Sequence, residues 1–138
     1  MAATVHGSAR LTADVDIVYA RDRGNLARLV RALGPHQPYP RGAPPGLPFE
    51  FDVETLRSGL NFTLTTTAGA LDLLGEITGG GTFEDLMDHT IEVQLFGFSC
   101  RCLGLPTLIR VKRAAGRPKD LESIAELEAI LEERKRTR

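Results

Sequence analysis

The segment HGSARLTADVDIV, His6–Val18, carries two aspartates in a run that otherwise has the composition of a β-strand. The β-branched residues around Asp14 and Asp16 favour strands, whereas aspartate is depleted there. Alternate residues of a strand project to the same face, so the two aspartates are expected side by side, roughly 7 Å apart at Cα. Val15 and Ile17 then enter a core, and the segment predicts a strand with one apolar and one acidic face.

A pair of aspartates on one strand face has two interpretations. Like charges side by side repel each other unless a cation lies between them, and hard divalent ions such as Mg²⁺ take carboxylate oxygens as ligands. Alternatively, the strand faces solvent and the two aspartates are ordinary surface residues. The pair alone does not decide between a metal site and a solvated edge.

Asp72 supplies a third carboxylate in a second apolar segment. It is flanked by Leu71, Leu73 and Leu74, and an unpaired ionised carboxylate in such surroundings costs several kcal/mol. Either a salt bridge to an arginine or a metal ion is expected to compensate it. If this strand pairs beside that of Asp14, three carboxylates meet on one face. Such a cluster can hold two Mg²⁺ or Mn²⁺ ions about 3.5–4 Å apart, an arrangement that assists phosphoryl-type displacement.

The length, net charge and composition of the chain favour one cytoplasmic domain. The chain has 138 residues and a net charge of -1, which argues neither for nor against a polyanionic partner, so any attraction for nucleic acid must be local. It has no apolar run near the roughly 20 residues that span a bilayer and no secretory leader, so no membrane association is expected. Cys100 and Cys102 lie too close in sequence for an unstrained disulfide, which fits reduced thiols in the cytoplasm.

Periodicity predicts an α+β fold, a mixed β-sheet with helices packed mainly on one side. The domain is expected to cover 1–138, with a sheet-containing core at 1–103 and a C-terminal helical pair at 104–138. Residues 35–48 hold six of the eight prolines and are predicted to form a loop without regular structure. The predicted strands cover 14–20, 61–67, 70–77, 91–96 and 98–103, and the predicted helices 1–5, 25–33, 83–87, 105–115 and 121–134.

The pattern H-G-S-x-R-x-T-x-D-V-D-I at residues 6–17, followed by Asp72 in a later strand, resembles the nucleotidyltransferase superfamily, which has the polymerase-β-like fold. It is most similar to the small prokaryotic minimal nucleotidyltransferases and the AbiEii-type toxins. The segment LPTLIRVKRAAGRPKDLESIAELEAI, residues 105–130, resembles the C-terminal signature of that group. The resemblance extends over nearly the whole chain.

The resemblance implies transfer of a nucleoside monophosphate from an NTP to an acceptor hydroxyl, with release of pyrophosphate. Asp14 and Asp16 are then expected to ligate both metal ions. Asp72 is expected to ligate the catalytic metal and to help deprotonate the acceptor. The acceptor is left open among protein, RNA and a small molecule.

Nucleotide contacts are expected near the start of the chain and on the first C-terminal helix. Turn amides and hydroxyls bind phosphate oxygens, although Gly-Ser is also an ordinary turn, and Lys112 is equally compatible with a solvated helix lysine. The residues expected to contact the nucleotide are Gly7, Ser8, Arg10, Thr12 and Lys112.

One departure from the family pattern keeps a second function open. Relatives usually carry Gly-Gly just upstream of what is Met1 in this chain, so we expect the first strand and the phosphate-gripping glycines to be lacking, as in an N-terminally truncated copy. The alternative is therefore a catalytically inactive nucleotidyltransferase-fold binding module, such as a toxin–antitoxin component with an antitoxin-like partner. A generic α+β scaffold is a third option, and an exposed sheet edge also permits a homodimer.

Overall fold

The computed structural model describes residues 14–95 and 97–137, with Asp14 and Leu95 described by their backbone alone. The described residues form two compact units, 14–76 and 77–137. The predicted first helix and the candidate residues Gly7, Ser8, Arg10 and Thr12 lie outside the described residues.

A four-stranded mixed sheet forms the first unit, in the order β1-β4-β3-β2. Strands β1 and β4 are parallel, whereas β3 is antiparallel to both β4 and β2. The elements of this unit are β1 (Asp14–Val18), α1 (Arg23–Leu33), a 3₁₀ turn (Gly34–His36), β2 (Tyr39–Pro40), α2 (Val53–Ser58), β3 (Asn61–Thr66) and β4 (Gly69–Leu74).

Both helices of the first unit pack on one face of this sheet. Leu26 of α1 and Leu56 of α2 are buried against Leu71 and Leu73 of β4, and Val15 and Ile17 of β1 are partly buried in the same cluster. Since strand residues alternate between faces, Asp16 and Asp72 project from the opposite face. The predicted separation of an apolar from an acidic face is thus present within this unit.

The Pro-rich segment 35–48 contains regular structure, so the prediction of an entirely irregular loop is wrong. Tyr39 pairs with Thr65 and Pro40 with Leu64 in the β2–β3 ladder. Proline is tolerated there because β2 is an edge strand, where a missing N–H costs no ladder partner. The Tyr39 hydroxyl donates to the Pro44 carbonyl, which holds the following turn against the strand.

The second unit combines short strands, a hairpin and a helical pair. Strand β5 (Glu76–Ile77), which begins at the last residue of the first unit, pairs with β6 (Gly81–Thr82) around a glycine turn. Strands β7 (Thr90–Leu95) and β8 (Phe98–Leu103) form an antiparallel hairpin. Helix α3 (Phe83–Leu86) and a 3₁₀ turn (Met87–His89) precede the hairpin. Helices α4 (Leu105–Ala115) and α5 (Pro118–Arg136) follow it.

Helices α4 and α5 bury a common apolar seam. Its members are Leu105, Leu108, Ile109, Ile124 and Leu127. Helix α4 has its predicted bounds, whereas α5 begins at Pro118 and not at the predicted residue 121. Proline in the first helical turn forfeits an N–H that has no intrahelical partner in any case, so the helix starts there although its apolar stripe begins later.

The described residues therefore form a mixed α+β structure with a mixed sheet, as expected. Within residues 14–95 and 97–137, no helix combines the length and the apolar character needed to cross a bilayer. The thiols of Cys100 and Cys102 are free.

Candidate functional site

The two acidic segments meet in adjacent parallel strands. Asp16 of β1 is the register partner of Asp72 of β4, and Asp14 is the register partner of Ala70. Neighbouring strands lie about 4.8 Å apart, and register partners share a face. The condition stated for these strands is therefore met, and their pairing brings carboxylates from two distant parts of the sequence to one surface.

Arg41 binds the carboxylate of Asp72. Its Nη2 donates to Asp72 Oδ1 at 2.8 Å and to the Leu64 carbonyl oxygen at 2.7 Å. The side chains of Arg41 and Asp72 are 29% and 24% exposed, so the ion pair stands at the surface of the sheet and not in a sealed pocket. Of the two compensating partners expected for Asp72, an arginine is present.

The guanidinium of Arg41 is only partly satisfied. Its Nε is buried and has no hydrogen-bond partner among the described atoms. A buried donor without an acceptor costs free energy comparable to a lost hydrogen bond. The main chain is well held, since Arg41 N donates to the Thr63 carbonyl at 2.9 Å. Arg41 therefore combines a fixed backbone with a side chain that lacks one acceptor.

The acidic face offers the donor type of a hard-cation site, in part. Asp16 and Asp72 present carboxylate oxygens, which suit Mg²⁺ and Mn²⁺. Among the residues whose side chains are described, no group of three histidines, cysteines, aspartates or glutamates lies close enough to hold a metal ion. A three-carboxylate site therefore requires Asp14, whose side chain falls outside that description.

Lys112 lies in the second unit, where it faces a buried acid. Its Nζ is 3.7 Å from Asp120 Oδ1, and Asp120 is only 1% exposed. Arg117 donates to the same carboxylate from Nε at 2.6 Å and from Nη2 at 3.2 Å. Lys112 is thus ion-paired and is not a freely solvated helix lysine. A nucleotide contact for it stays a prediction.

Burial and ion pairing act on Asp120 in opposite directions. Desolvation is the largest single influence and raises the pKa of this carboxyl. The hydrogen bond and charge of Arg117, together with the charge of Lys112, outweigh it and hold the pKa below its ordinary value. Asp120 is therefore a carboxylate that the fold keeps ionised, and it anchors the junction between α4 and α5.

Three arginines surround a cavity at the end of strand β1, on the helix side of the sheet. The cavity has a volume of about 300 Å³ and is lined by Arg21, Arg23, Leu26 and Arg57. Arg21 is fixed by bonds to the Leu56 and Arg57 carbonyl oxygens at 3.1 and 3.0 Å. No sequence pattern predicts this cluster, because Arg21 lies in the loop after β1, Arg23 and Leu26 lie in α1, and Arg57 lies in α2.

Arg41 was also missed by sequence reasoning. Its position after Pro40 in a Pro-rich segment carries no periodic signal, and the only clue was that Asp72 needed a positive partner.

The sequence was compared with protein-family models, with curated proteins and with solved structures, and nothing matches. The resemblance of residues 6–17 and 105–130 to the nucleotidyltransferase superfamily therefore stays an expectation.

Proposed function

We propose that this protein is a Mg²⁺-dependent nucleotidyltransferase that moves a nucleoside monophosphate from an NTP to a hydroxyl of a protein, an RNA or a small molecule. The observation that carries the proposal is the register pairing of Asp16 with Asp72 in parallel strands. Acids at the centre of paired strands disfavour the sheet, and nucleotidyl transfer gives them a use. The sequence pattern at residues 6–17 supports the same reaction class by resemblance.

Asp14, Asp16 and Asp72 would hold the divalent ions in this reaction. When bound, such ions stabilise the charge that develops on the attacking and leaving oxygens of a phosphoryl displacement. The protein's own part is to hold the carboxylates on one rigid sheet and to accept the proton of the acceptor hydroxyl at Asp72. A carboxylate takes that role where its oxygen lies within hydrogen-bond reach of the hydroxyl.

A direct assay tests the proposal. The full chain is incubated with each of the four α-³²P-labelled NTPs, with Mg²⁺ or Mn²⁺, and with total protein or total RNA as acceptor. We expect label on one acceptor class and a loss of more than about 100-fold in Asp16→Asn, since changes outside the ligand set already cost 10–100-fold. The matched control is Asp88→Asn, because Asp88 is an exposed aspartate of the other unit. Equal transfer by Asp16→Asn would reject the assignment.

A second candidate is the catalytically inactive binding module. The bond from Arg41 to Asp72 Oδ1 at 2.8 Å favours it, because the guanidinium offsets the carboxylate charge that would attract a divalent cation and competes with the cation for this oxygen. Isothermal titration with Mn²⁺ and non-hydrolysable NTPs separates the two candidates. Micromolar binding by this chain supports the enzyme, and a complete absence of binding supports the inactive module.

A further inference from the structure

Arg41 has the contacts of a side chain with two alternative partners. A guanidinium carries five N–H donors in a planar fork. In this structure a single nitrogen, Nη2, makes both of its bonds, to Asp72 and to the Leu64 carbonyl. The Nε beside it is buried and has no acceptor within the described chain. Once the guanidinium has left Asp72 and Nε is exposed, a phosphate oxygen at Nε would satisfy the donor that the protein itself leaves open.

The contact between Arg41 and Asp72 is easy to exchange. Both side chains are partly exposed, at 29% and 24%, so a dissolved cation reaches Asp72 without opening the apolar core. Ion pairs that retain contact with water contribute little to stability, and their separation is correspondingly cheap. Asp72 can exchange Arg41 for a cation only if solvent reaches its carboxylate and if little free energy is needed to separate the ion pair, and both conditions are met.

The backbone of Arg41 keeps the released guanidinium at the site. Its N–H is bonded to the Thr63 carbonyl at 2.9 Å, and Thr63 is the register partner of Asp72 across β3 and β4. Movement is thereby limited to the side chain. After leaving Asp72, the guanidinium remains within one side-chain length of the carboxylate face.

We propose that Arg41 is a substrate-binding residue that exchanges partners, and the inference rests on the function proposed above. Without a divalent cation, Arg41 neutralises Asp72. With the cation bound, Asp72 turns to it and Arg41 binds a phosphate oxygen of the NTP through Nε and an Nη group. The guanidinium fork matches phosphate oxygens in a bidentate manner. No covalent bond changes in this exchange.

The proposal predicts effects of opposite sign in Arg41→Gln. Removing the competing guanidinium should tighten Mn²⁺ binding about tenfold, which corresponds to about 1.4 kcal/mol. Removing the phosphate contact should weaken binding of inorganic tripolyphosphate about tenfold at saturating Mn²⁺. If Arg41 had only a structural role, Arg41→Gln would weaken the binding of both Mn²⁺ and tripolyphosphate. If Arg41 only blocked the site, Arg41→Gln would strengthen the binding of both.

The experiment uses the full chain and two probes. Mn²⁺ binding is followed by the electron paramagnetic resonance signal of free Mn²⁺, and tripolyphosphate binding by calorimetry in excess Mn²⁺. Tripolyphosphate is chosen because it is the part shared by all NTPs. The matched control is Arg31→Gln, which removes an exposed arginine in the last turn of α1 and should change neither affinity.

Arg41→Lys keeps the inference testable if Arg41→Gln does not fold. Lysine retains the positive charge but lacks the fork, so Mn²⁺ affinity should stay near that of the wild type while tripolyphosphate binding weakens. Parallel changes of the two affinities in Arg41→Gln overturn the exchange, as does unweakened tripolyphosphate binding in Arg41→Lys.

The outcomes also separate the inference from the proposed function. If neither the wild type nor the Arg41 variants bind Mn²⁺, the nucleotidyltransferase assignment fails, and the exchange fails with it. If the wild type binds Mn²⁺ and transfers nucleotide while Arg41→Gln binds both probes as the wild type does, only the role of Arg41 is rejected.

Discussion

Replacing Asp120 by asparagine should destabilise the helical pair of the second unit. Asp120 is 1% exposed and accepts from Arg117 at 2.6 and 3.2 Å, with Lys112 Nζ at 3.7 Å. It lies in the first turn of α5, where a negative charge also complements the helix dipole. The substitution removes the charge while keeping nearly the same shape, so the change in stability reports the electrostatic contribution.

The expected loss in the free energy of unfolding is about 2–3 kcal/mol at pH 7. Breaking a buried ion pair by removing one partner costs about 3–5 kcal/mol. The figure is reduced here because Arg117 is 59% exposed, so water solvates its guanidinium once the carboxylate is gone. The amide oxygen of asparagine also still accepts one hydrogen bond.

The pH dependence has a definite sign. The pKa of Asp120 is lowered in the folded protein, below the value of about 3.9 expected in the unfolded chain. The stabilisation is therefore fully present above about pH 4 and is lost as the pH falls from there through the folded pKa. Asparagine does not titrate, so the difference between wild type and variant should be constant from about pH 5 to 7 and shrink below about pH 4.

Urea unfolding followed by circular dichroism at 222 nm is the assay, because α4 and α5 supply most of the described helix. With slopes of about 1–3 kcal/mol per molar urea, a loss of about 2–3 kcal/mol should lower the midpoint by about 0.7–3 M. Both tyrosines, Tyr19 and Tyr39, lie in the first unit, so tyrosine fluorescence monitors that unit separately. Glu133→Gln is the control on an exposed acid of α5. An unchanged midpoint at pH 7, or a difference that grows below pH 4, would refute the reasoning.

Three further predictions concern packing and reactivity. Leu73 is fully buried in the first unit, so Leu73→Ala should lower the free energy of unfolding by about 2–5 kcal/mol. Urea unfolding followed by tyrosine fluorescence measures this change, and a loss under 1 kcal/mol would contradict the assigned core. Gly79→Ala should destabilise the protein by about 1–3 kcal/mol more than Gly42→Ala. Both glycines have φ above +80°, but only at Gly79 would the new Cβ lie 2.4 Å from an alanine of α4. Equal urea midpoints for the two variants would exclude the clash. Burial raises the pKa of the Cys102 thiol, whereas Cys100 is exposed. Iodoacetamide should therefore alkylate Cys100 before Cys102. A time course followed by mass spectrometry would contradict this if Cys102 were alkylated first.

The regular elements were predictable wherever a single period extended over several residues. The hairpin around Gly97 and helix α4 appear at their predicted positions, because alternation and a helical stripe each leave a clear signature. The pairing of β1 with β4 was stated only as a condition. Its register, Asp16 opposite Asp72, depends on tertiary packing that no local pattern contains.

The features missed by sequence reasoning depend on single contacts. Strand β2 has two residues, too few for any period, and it forms because the Tyr39–Pro40 backbone meets the edge of β3. Arg41 follows directly and owes its place at the acidic face to that pairing. The need of Asp72 for a cation was predictable from its apolar neighbours, but the chain has many arginines, and only the fold selects one.

Stability alone accounts poorly for the Arg41–Asp72 pair. Ion pairs that keep contact with water contribute about 0–1 kcal/mol to stability, and aspartate in mid-strand weakens the sheet. Arg41 in addition leaves Nε buried without an acceptor among the described atoms, a further cost that a purely structural bridge has no reason to retain. Under the proposed function, a ligand that uses these groups would account for an acid at Asp16, another at its register partner Asp72, and an incompletely bonded guanidinium beside the latter.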